Sequence, residues 1–313
     1  MKYNKYIKDA PLVSEIGLGA WQLGNDSSWK GMSEKDAVGM VQRSLEYGIN
    51  FFDTAPNYGN GTSEERLGKA LKGKDRSKIV INTKFGRSTS GITDFSSGYI
   101  RESLEGSLKR LRVDCIDSIL IHSPPFGHLD GNKNDHYEIL ERLIDEGKIK
   151  AYGASLDTYE EMKLFMNTTN AKVIEVFFNI LHQDASRAFD LAKEKELGII
   201  VKIPLDSGWL TGKYNGESTF HDIRSRWARQ DIQTRAHLVN RVKEIVRAKD
   251  DLAQKAISFC LGYDAVSTVI PGNVNLTQLK SNIESINNPI SRELIEKLED
   301  FYRNEVKQLK LPW

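Results

Sequence analysis

Short apolar runs alternate with longer amphipathic ones along most of the chain. Runs rich in β-branched residues fall at 16–19, 50–53, 80–84, 116–122, 151–155, 173–179, 199–203 and 266–270. Their near-continuous apolar character predicts strands buried on both faces, as in a parallel sheet. The stretches between them carry apolar residues at helical spacing, as Ala37, Val38, Val41 and Leu45 do within 33–47. Further helices are predicted at 63–71, 98–110, 136–146, 159–167, 187–197, 235–246 with 252–261, and 276–283. Ser33 followed by Asp36 marks the first helix start as a capping-box-like turn. Gly48, Gly147 and Gly198 each follow a helix and precede a strand, where a left-handed cap is expected.

Strict alternation of strand and helix predicts a parallel sheet, and eight such units predict a closed (β/α)8 barrel of the TIM type. Two segments fall outside the repeat. Residues 1–13 read as an N-terminal β-hairpin plugging the bottom of the barrel, with Tyr3, Tyr6, Ile7, Leu12 and Val13 as its apolar side chains. Residues 291–306 read as an extra C-terminal helix opened by Ser291. No linker or short repeat interrupts the chain, so residues 1–313 are expected to form one domain. The competing architecture is an open doubly wound sheet. Its Gly-x-Gly-x-x-Gly turn is not met by Gly17-Leu18-Gly19-Ala20-Trp21-Gln22, which lacks the third glycine.

Composition narrows the function classes. With 39% hydrophobic residues and a net charge of +1, disorder is excluded as the main state. The 44 Lys and Arg against 43 Asp and Glu leave no positive excess for neutralising phosphates, so no nucleic-acid partner is expected. Cys115 and Cys260 are expected as buried free thiols in a reducing cytoplasm. The first residues lack the apolar core of a signal peptide, and no apolar run approaches the ~18 residues of a membrane span. A cytoplasmic protein without a membrane partner is expected, monomeric or weakly homo-oligomeric.

In a parallel barrel the chemistry lies at the C-terminal strand ends. There the chain places Asp53, with Tyr58 in the following loop, then Lys84 and His122. Each alone has an ordinary structural reading; together they suit proton transfer to a carbonyl oxygen while hydride arrives at its carbon. A free tyrosine has a pKa of about 10, a nearby ammonium favours the phenolate, and a carboxylate would hold that ammonium charged. His122 would share the proton network or orient the carbonyl.

These residues sit in motifs that strongly resemble the aldo-keto reductase family. They are Gly48-Ile49-Asn50-Phe51-Phe52-Asp53-Thr54-Ala55-Pro56-Asn57-Tyr58-Gly59, Ser63-Glu64-Glu65-Arg66-Leu67-Gly68, Thr83-Lys84-Phe85-Gly86, Ile121-His122-Ser123-Pro124 and the segment 204–213. The resemblance implies Tyr58 as general acid/base, Lys84 and Asp53 tuning it, and His122 binding the carbonyl. It implies an NAD(P)(H)-dependent oxidoreductase that reduces an aldehyde, ketone or sugar carbonyl to the alcohol. The alternatives are a cofactor-binding subunit similar to potassium-channel β subunits, or an aldose 1-dehydrogenase working oxidatively. No metal ligands are implied.

The resemblance also implies a nicotinamide dinucleotide across the barrel mouth. Ser155, Glu175, Lys202, Leu205, Ser207, Gly208, Gly272, Gln278 and Asn282 fall at its contact positions. Ser155 is followed by Leu156 where the family often has Asn, Glu175 stands for Gln, and Lys202 stands where many members stack an aromatic ring. A positive charge beside an oxidised, cationic nicotinamide is unfavourable, which points to reduction as the favoured direction. The family habit implies NADP, but Gly272, Val274 and Gln278 supply no cation for its 2′-phosphate. NAD or dual use therefore stays open. Arg224, Arg226 and Arg229 form a basic cluster, either a solvated loop or a phosphate-binding lid. Trp21, Phe85 and His122 are the expected substrate contacts, with Trp29 and Phe126 as further aromatic candidates.

Overall fold

The predicted strand runs pair into a single parallel sheet. The computed structural model describes residues 1–8, 10–24, 31–309 and 311–312. Strand β1 (Tyr3–Asn4) pairs antiparallel with β2 (Val13–Ser14), forming the expected hairpin. Then β3 (Leu18–Gly19), β4 (Phe51–Asp53), β5 (Val80–Phe85), β6 (Ile116–Ile121), β7 (Ile149–Leu156), β8 (Val173–Phe177), β9 (Gly198–Lys202) and β10 (Val266–Val269) form an eight-stranded parallel sheet in chain order. This strand order, with helices between the strands, is that of a (β/α)8 fold. The Gly17 amide donates to the Val269 carbonyl at 2.9 Å, and the Val269 amide to the Glu15 carbonyl at 2.9 Å. Parallel bridges Ile16–Val269 and Gly19–Gly272 accompany them.

Helices α1 (Glu34–Glu46), α2 (Thr62–Ala70), α3 (Ser97–Leu111), α4 (His136–Asp145), α5 (Tyr159–Thr168) and α6 (Phe189–Glu194) connect successive strands. Both α7 (Arg229–Val246) and α8 (Leu252–Leu261) lie between β9 and β10, and α9 (Leu276–Glu284) and α10 (Arg292–Phe301) follow. Ser33 caps α1 by accepting from the Asp36 amide at 3.1 Å, and Ser291 caps α10 through the Leu294 amide at 3.2 Å. No helix among the described residues is long and apolar enough to cross a membrane.

Two apolar clusters divide the core. The inner one joins Phe51, Val80, Leu120, Ala151, Val173, Ile200 and Ile270 from the sheet to Tyr6 and Val13 of the hairpin segment. The outer one fills the space between sheet and helices, with Phe52, Ile81, Ile119, Ile174 and Val201 among its members. Tyr6 and Val13 therefore pack against the inner face of the sheet, while Tyr3 and Leu12 are exposed.

Some local expectations shift. Helix α7 starts six residues earlier than its apolar stripe, because the Asp231 carboxylate accepts from the Ala228 amide at 2.9 Å and stabilises a polar first turn. Gly48 and Gly147 do take left-handed conformations, but before β9 that conformation falls on Glu196, not Gly198. Gly198 answers a packing demand instead: a Cβ there would lie 2.6 Å from the Tyr6 carbonyl oxygen. Both cysteines are unpaired. Cys260 is buried, but Cys115 is only half-buried, at the solvent-side entry to β6.

Candidate active site

Successive side chains of a strand point to opposite faces. Phe51 belongs to the inner cluster and Phe52 to the outer one, so Asp53 faces inward at the end of β4. In β5, Val80 is inner and Ile81 outer, which turns Asn82 and Lys84 inward and Phe85 outward. The same alternation turns His122, one residue beyond β6, inward, and likewise Ser155 of β7, Glu175 of β8 and Lys202 of β9. Strand register sets Asp53 beside Asn82, and Ser155 beside Glu175.

These side chains join into one polar chain. Lys84 Nζ donates to both Asp53 oxygens, at 2.6 and 2.8 Å, and to the Thr54 carbonyl at 3.2 Å. It also lies 3.1 Å from Glu175 Oε2, within ion-pair distance although that oxygen receives no well-aligned hydrogen bond. Ser155 Oγ donates to Glu175 Oε1 at 3.0 Å and accepts from Lys202 Nζ at 2.9 Å. Lys202 in turn pairs with Asp157 at 2.7 Å. Asp53, Lys84, Ser155 and Glu175 are all buried.

A second branch runs along the inner face of the sheet. Asn82 Nδ2 donates to Asp53 Oδ1 at 2.6 Å, and Ser118 Oγ donates to Asn82 Oδ1 at 2.6 Å. The single Ser118 hydroxyl proton is thereby used, so the Tyr6 hydroxyl, 2.7 Å away, is the donor to Ser118. No motif in the sequence marks Asn82, Ser118, Tyr6 or Asp157 as parts of this network. The period-two alternation that places Lys84 would also have placed Asn82 and Ser118.

Tyr58 enters from the loop after β4. Its amide donates to the Ala55 carbonyl at 3.1 Å, and its carbonyl accepts from the Ser63 amide at 3.2 Å. Gly59 has φ 58°, and a Cβ on it would fall 1.6 Å from the Gly24 carbonyl oxygen, so only glycine lets this turn close. Lys84 Nζ lies 5.3 Å from the Tyr58 ring centre. The His122 ring meets Tyr58 edge-on, with centroids 5.8 Å apart. Trp21 also flanks Tyr58, its ring centre 6.5 Å away.

Electrostatics follow from this crowding. Burial raises the Tyr58 pKa above its ordinary value; the Lys84 ammonium pulls it down, and Asp53 and Glu175 push it up. The expected pull of Lys84 is present, but the enclosing protein outweighs it. Burial opposes the Lys84 charge too, yet Asp53 and Glu175 overcome that and hold Lys84 protonated well above its usual range. Burial, then the Glu175 charge, push Asp53 up to about 7 against the pull of Lys84. Burial also raises Glu175, but Lys84 and Lys202 bring it below the usual carboxylate range. Burial and then Lys84 hold His122 well below the usual histidine value, so its imidazole is neutral.

The sequence profile of the aldo/keto reductase family matches residues 15–303. The chain belongs to the aldo/keto reductase family. It is 31% identical to L-galactose dehydrogenase of Arabidopsis thaliana over 88% of this chain and 84% of that protein. It is 28% identical to a probable voltage-gated potassium channel subunit beta of Oryza sativa, over 98% of each. The solved holo form of an aldo-keto reductase from Bacillus halodurans superposes with a TM-score of 0.78 at 28% identity, covering 95% of both chains. The protein is thus an oxidoreductase of a family acting on carbonyl and alcohol groups and using nicotinamide dinucleotides.

For an aldo-keto reductase, several expected contacts lie where a ligand at the strand ends can meet them, and others do not. Phe85 is fully buried in the outer cluster, on the β5 face opposite Lys84, so it is not a substrate contact. Phe126 is exposed, and Trp29 lies outside the described residues. Lys202 is paired with Asp157 at 2.7 Å, and its charge still acts on Glu175 and His122.

After β9 the backbone turns left-handed at Ser207 and Gly208. Leu205 packs on the outer cluster, and its carbonyl accepts from the Gly208 amide at 2.9 Å. Arg224 is buried against this loop. It donates to Asp222 at 2.8 Å, the Ser207 carbonyl at 3.2 Å and the Tyr214 hydroxyl at 2.6 Å, so it is not a solvated loop residue. Gly272 is exposed. The Gln278 side chain accepts from the Val274 amide at 3.0 Å, and Asn282 is buried and donates to Asn273 at 2.8 Å. A separate hollow of about 410 Å³ lies between α7 and the C-terminal segment, lined by Gln230, His237 and Leu309, and contains none of these residues.

Proposed function

We propose that the protein is an NAD(P)(H)-dependent carbonyl oxidoreductase, with Tyr58 as its general acid/base. The observation that carries this reading is the convergence of Tyr58, Lys84, Asp53 and His122 at the inner strand ends. We also read the bridges between β3 and β10 as closing the barrel, and residues 1–313 as a single domain.

A bound nicotinamide dinucleotide would supply or accept the hydride at the carbonyl carbon. The chain's own residues manage the proton. The Tyr58 hydroxyl donates its proton to the carbonyl oxygen as charge develops there, and takes it back in the oxidative direction. Lys84, kept charged by two carboxylates, stabilises the phenolate left behind. Asp53 fixes the position of Lys84 through a two-oxygen contact. Neutral His122 offers a ring hydrogen bond to the carbonyl oxygen without adding a charge.

The residues present fit the cofactor. Glu175 Oε2 is a buried acceptor lacking an aligned donor, suited to the NH2 of a carboxamide. The left-handed Ser207–Gly208 turn presents backbone suited to cradling a pyrophosphate, and the Gln22 side chain lies over Gly272, where a Cβ would come within 2.6 Å of its amide nitrogen. Between Pro271 and Leu279 the chain has no cationic side chain, and Gln278 is engaged with its own backbone. We therefore place NAD(H) on a par with NADP(H). Two free thiols fit a cytoplasmic setting, and a small aldehyde, ketone or sugar is the proposed substrate.

The test is carbonyl-dependent oxidation of NADH and NADPH across aldehydes, ketones and aldoses, alongside nucleotide titration. Turnover with both nucleotides, within about tenfold of each other, is expected, since no cation discriminates the phosphate. Tight nucleotide binding with no turnover on any carbonyl or alcohol would instead make the chain a cofactor-binding subunit.

A further inference from the structure

The inner strand ends carry one carboxylate more than they need. Lys84 is met on one side by both oxygens of Asp53 and on the other by Glu175 Oε2 at 3.1 Å, and all three side chains are buried. The other titratable groups around this trio leave the excess uncancelled. Lys202 from β9 acts on Glu175 but is itself paired with Asp157, so the two together add no net charge. His122 is neutral, and Arg87 beyond it is exposed. The phenols of Tyr58 above and Tyr6 below stay protonated through burial. With both carboxylates ionised, the buried trio has a net charge of minus one.

We propose that Glu175 biases the site toward the oxidised, cationic form of the nicotinamide ring. The inference rests on the cofactor reading above. A group that exchanges hydride with a carbonyl held by Tyr58 must lie against these same strand ends, next to the trio. An unbalanced buried anion attracts a cation a few ångström away with little screening, and gives the neutral reduced ring no such attraction. The two forms of the dinucleotide share their adenosine, ribose and pyrophosphate. The effect therefore appears in the ratio of their dissociation constants, not in overall affinity.

The bias depends on pH, with a definite sign. Two carboxylates sharing one ammonium titrate as a pair, and burial pushes one of them up toward neutrality. At acid pH a proton on the pair cancels the excess charge and removes the bias. At alkaline pH the pair is fully ionised and the bias is present. Between these limits, binding of the oxidised form expels a proton to solvent. With an amide at position 175, Asp53 and Lys84 balance each other and the ratio becomes flat with pH.

The experiment measures dissociation constants of NAD+ and NADH, and of NADP+ and NADPH, by calorimetry at about pH 6 and about pH 8.5. It uses the wild type, Glu175→Gln and Glu175→Asp. In the wild type the oxidised-to-reduced ratio of dissociation constants should fall about tenfold across this range. Glu175→Gln should hold the ratio flat, about tenfold above wild type at the alkaline end, while Glu175→Asp should keep the slope. A wild-type ratio that does not change with pH overturns the inference even if neither variant folds. A Glu175→Gln ratio equal to that of wild type overturns it as well. Failure of the wild type to bind any of the four nucleotides overturns the cofactor reading itself, and this inference with it.

Discussion

Tyr58 stands between opposing pulls, with burial and two carboxylates favouring the phenol and one ammonium favouring the phenolate. Its neighbour His122 shows the consequence of such a site for stability. Burial and Lys84 hold the imidazole neutral in the folded protein, whereas an unfolded histidine takes a proton below about pH 6.5. At this site the unfolded state then binds more protons, so the His122 contribution to stability is intact above about pH 6.5 and is lost on acidification. Asp53 has the opposite slope, because its raised pKa makes the folded state take up a proton below about 7. His122 contributes at most about 1.4 kcal/mol per pH unit to this slope. In His122→Asn the urea midpoint should lose less on acidification from about pH 7 to pH 5 than it does in wild type. An unchanged slope would show that the acid sensitivity arises elsewhere. At this scale much was legible. Asp53, Lys84 and His122 could be placed from strand ends alone, and the alternation that turns them inward also turns Phe85 outward. The role of Glu175 beside Lys84 was not legible, because it depends on a contact between β5 and β8, which are not neighbours in the sheet.

Helix α2 illustrates how an element is held in place to serve the site. Glu64 is fully buried on it, accepting from Thr83 Oγ1 at 2.6 Å and from Arg110 Nε at 2.7 Å. One carboxylate thereby ties α2 to β5 and α3, and Ser63 next to it carries the amide that holds the Tyr58 carbonyl. Glu64→Ala leaves Arg110 without its buried partner and should cost about 3–5 kcal/mol in denaturant unfolding, with Glu64→Gln costing less. A loss under about 1 kcal/mol would mean that the pair is not what anchors α2. The motif Ser63-Glu64-Glu65-Arg66 was visible in the sequence, but its work was not, since only the folded chain brings Arg110 against it. Strand and helix order was legible because each strand is a short apolar run and each helix an amphipathic one. Boundaries set by a single contact, such as the polar first turn of α7 at Arg229, were not.

Across the whole molecule, a hydrogen-bonded chain leads from Tyr6 of the N-terminal segment through Ser118 and Asn82 to Asp53 and Lys84. The N-terminal segment and the site are therefore linked along the inner face of the sheet, where the inner apolar cluster includes Tyr6 and Val13. The order of the eight strands followed from counting alternating units, and the hairpin from its isolation before the first unit. A net charge of +1 gives the molecule little long-range field for an anionic cofactor, so binding depends on local groups at the strand ends. The claim that this arrangement serves proton transfer is tested most directly by Tyr58→Phe, which removes one hydroxyl and leaves the ring packing intact. Dinucleotide binding should stay within about twofold of wild type, while carbonyl turnover falls by about a thousandfold, as expected for loss of a general acid. A variant that kept more than about a tenth of wild-type turnover would contradict the account.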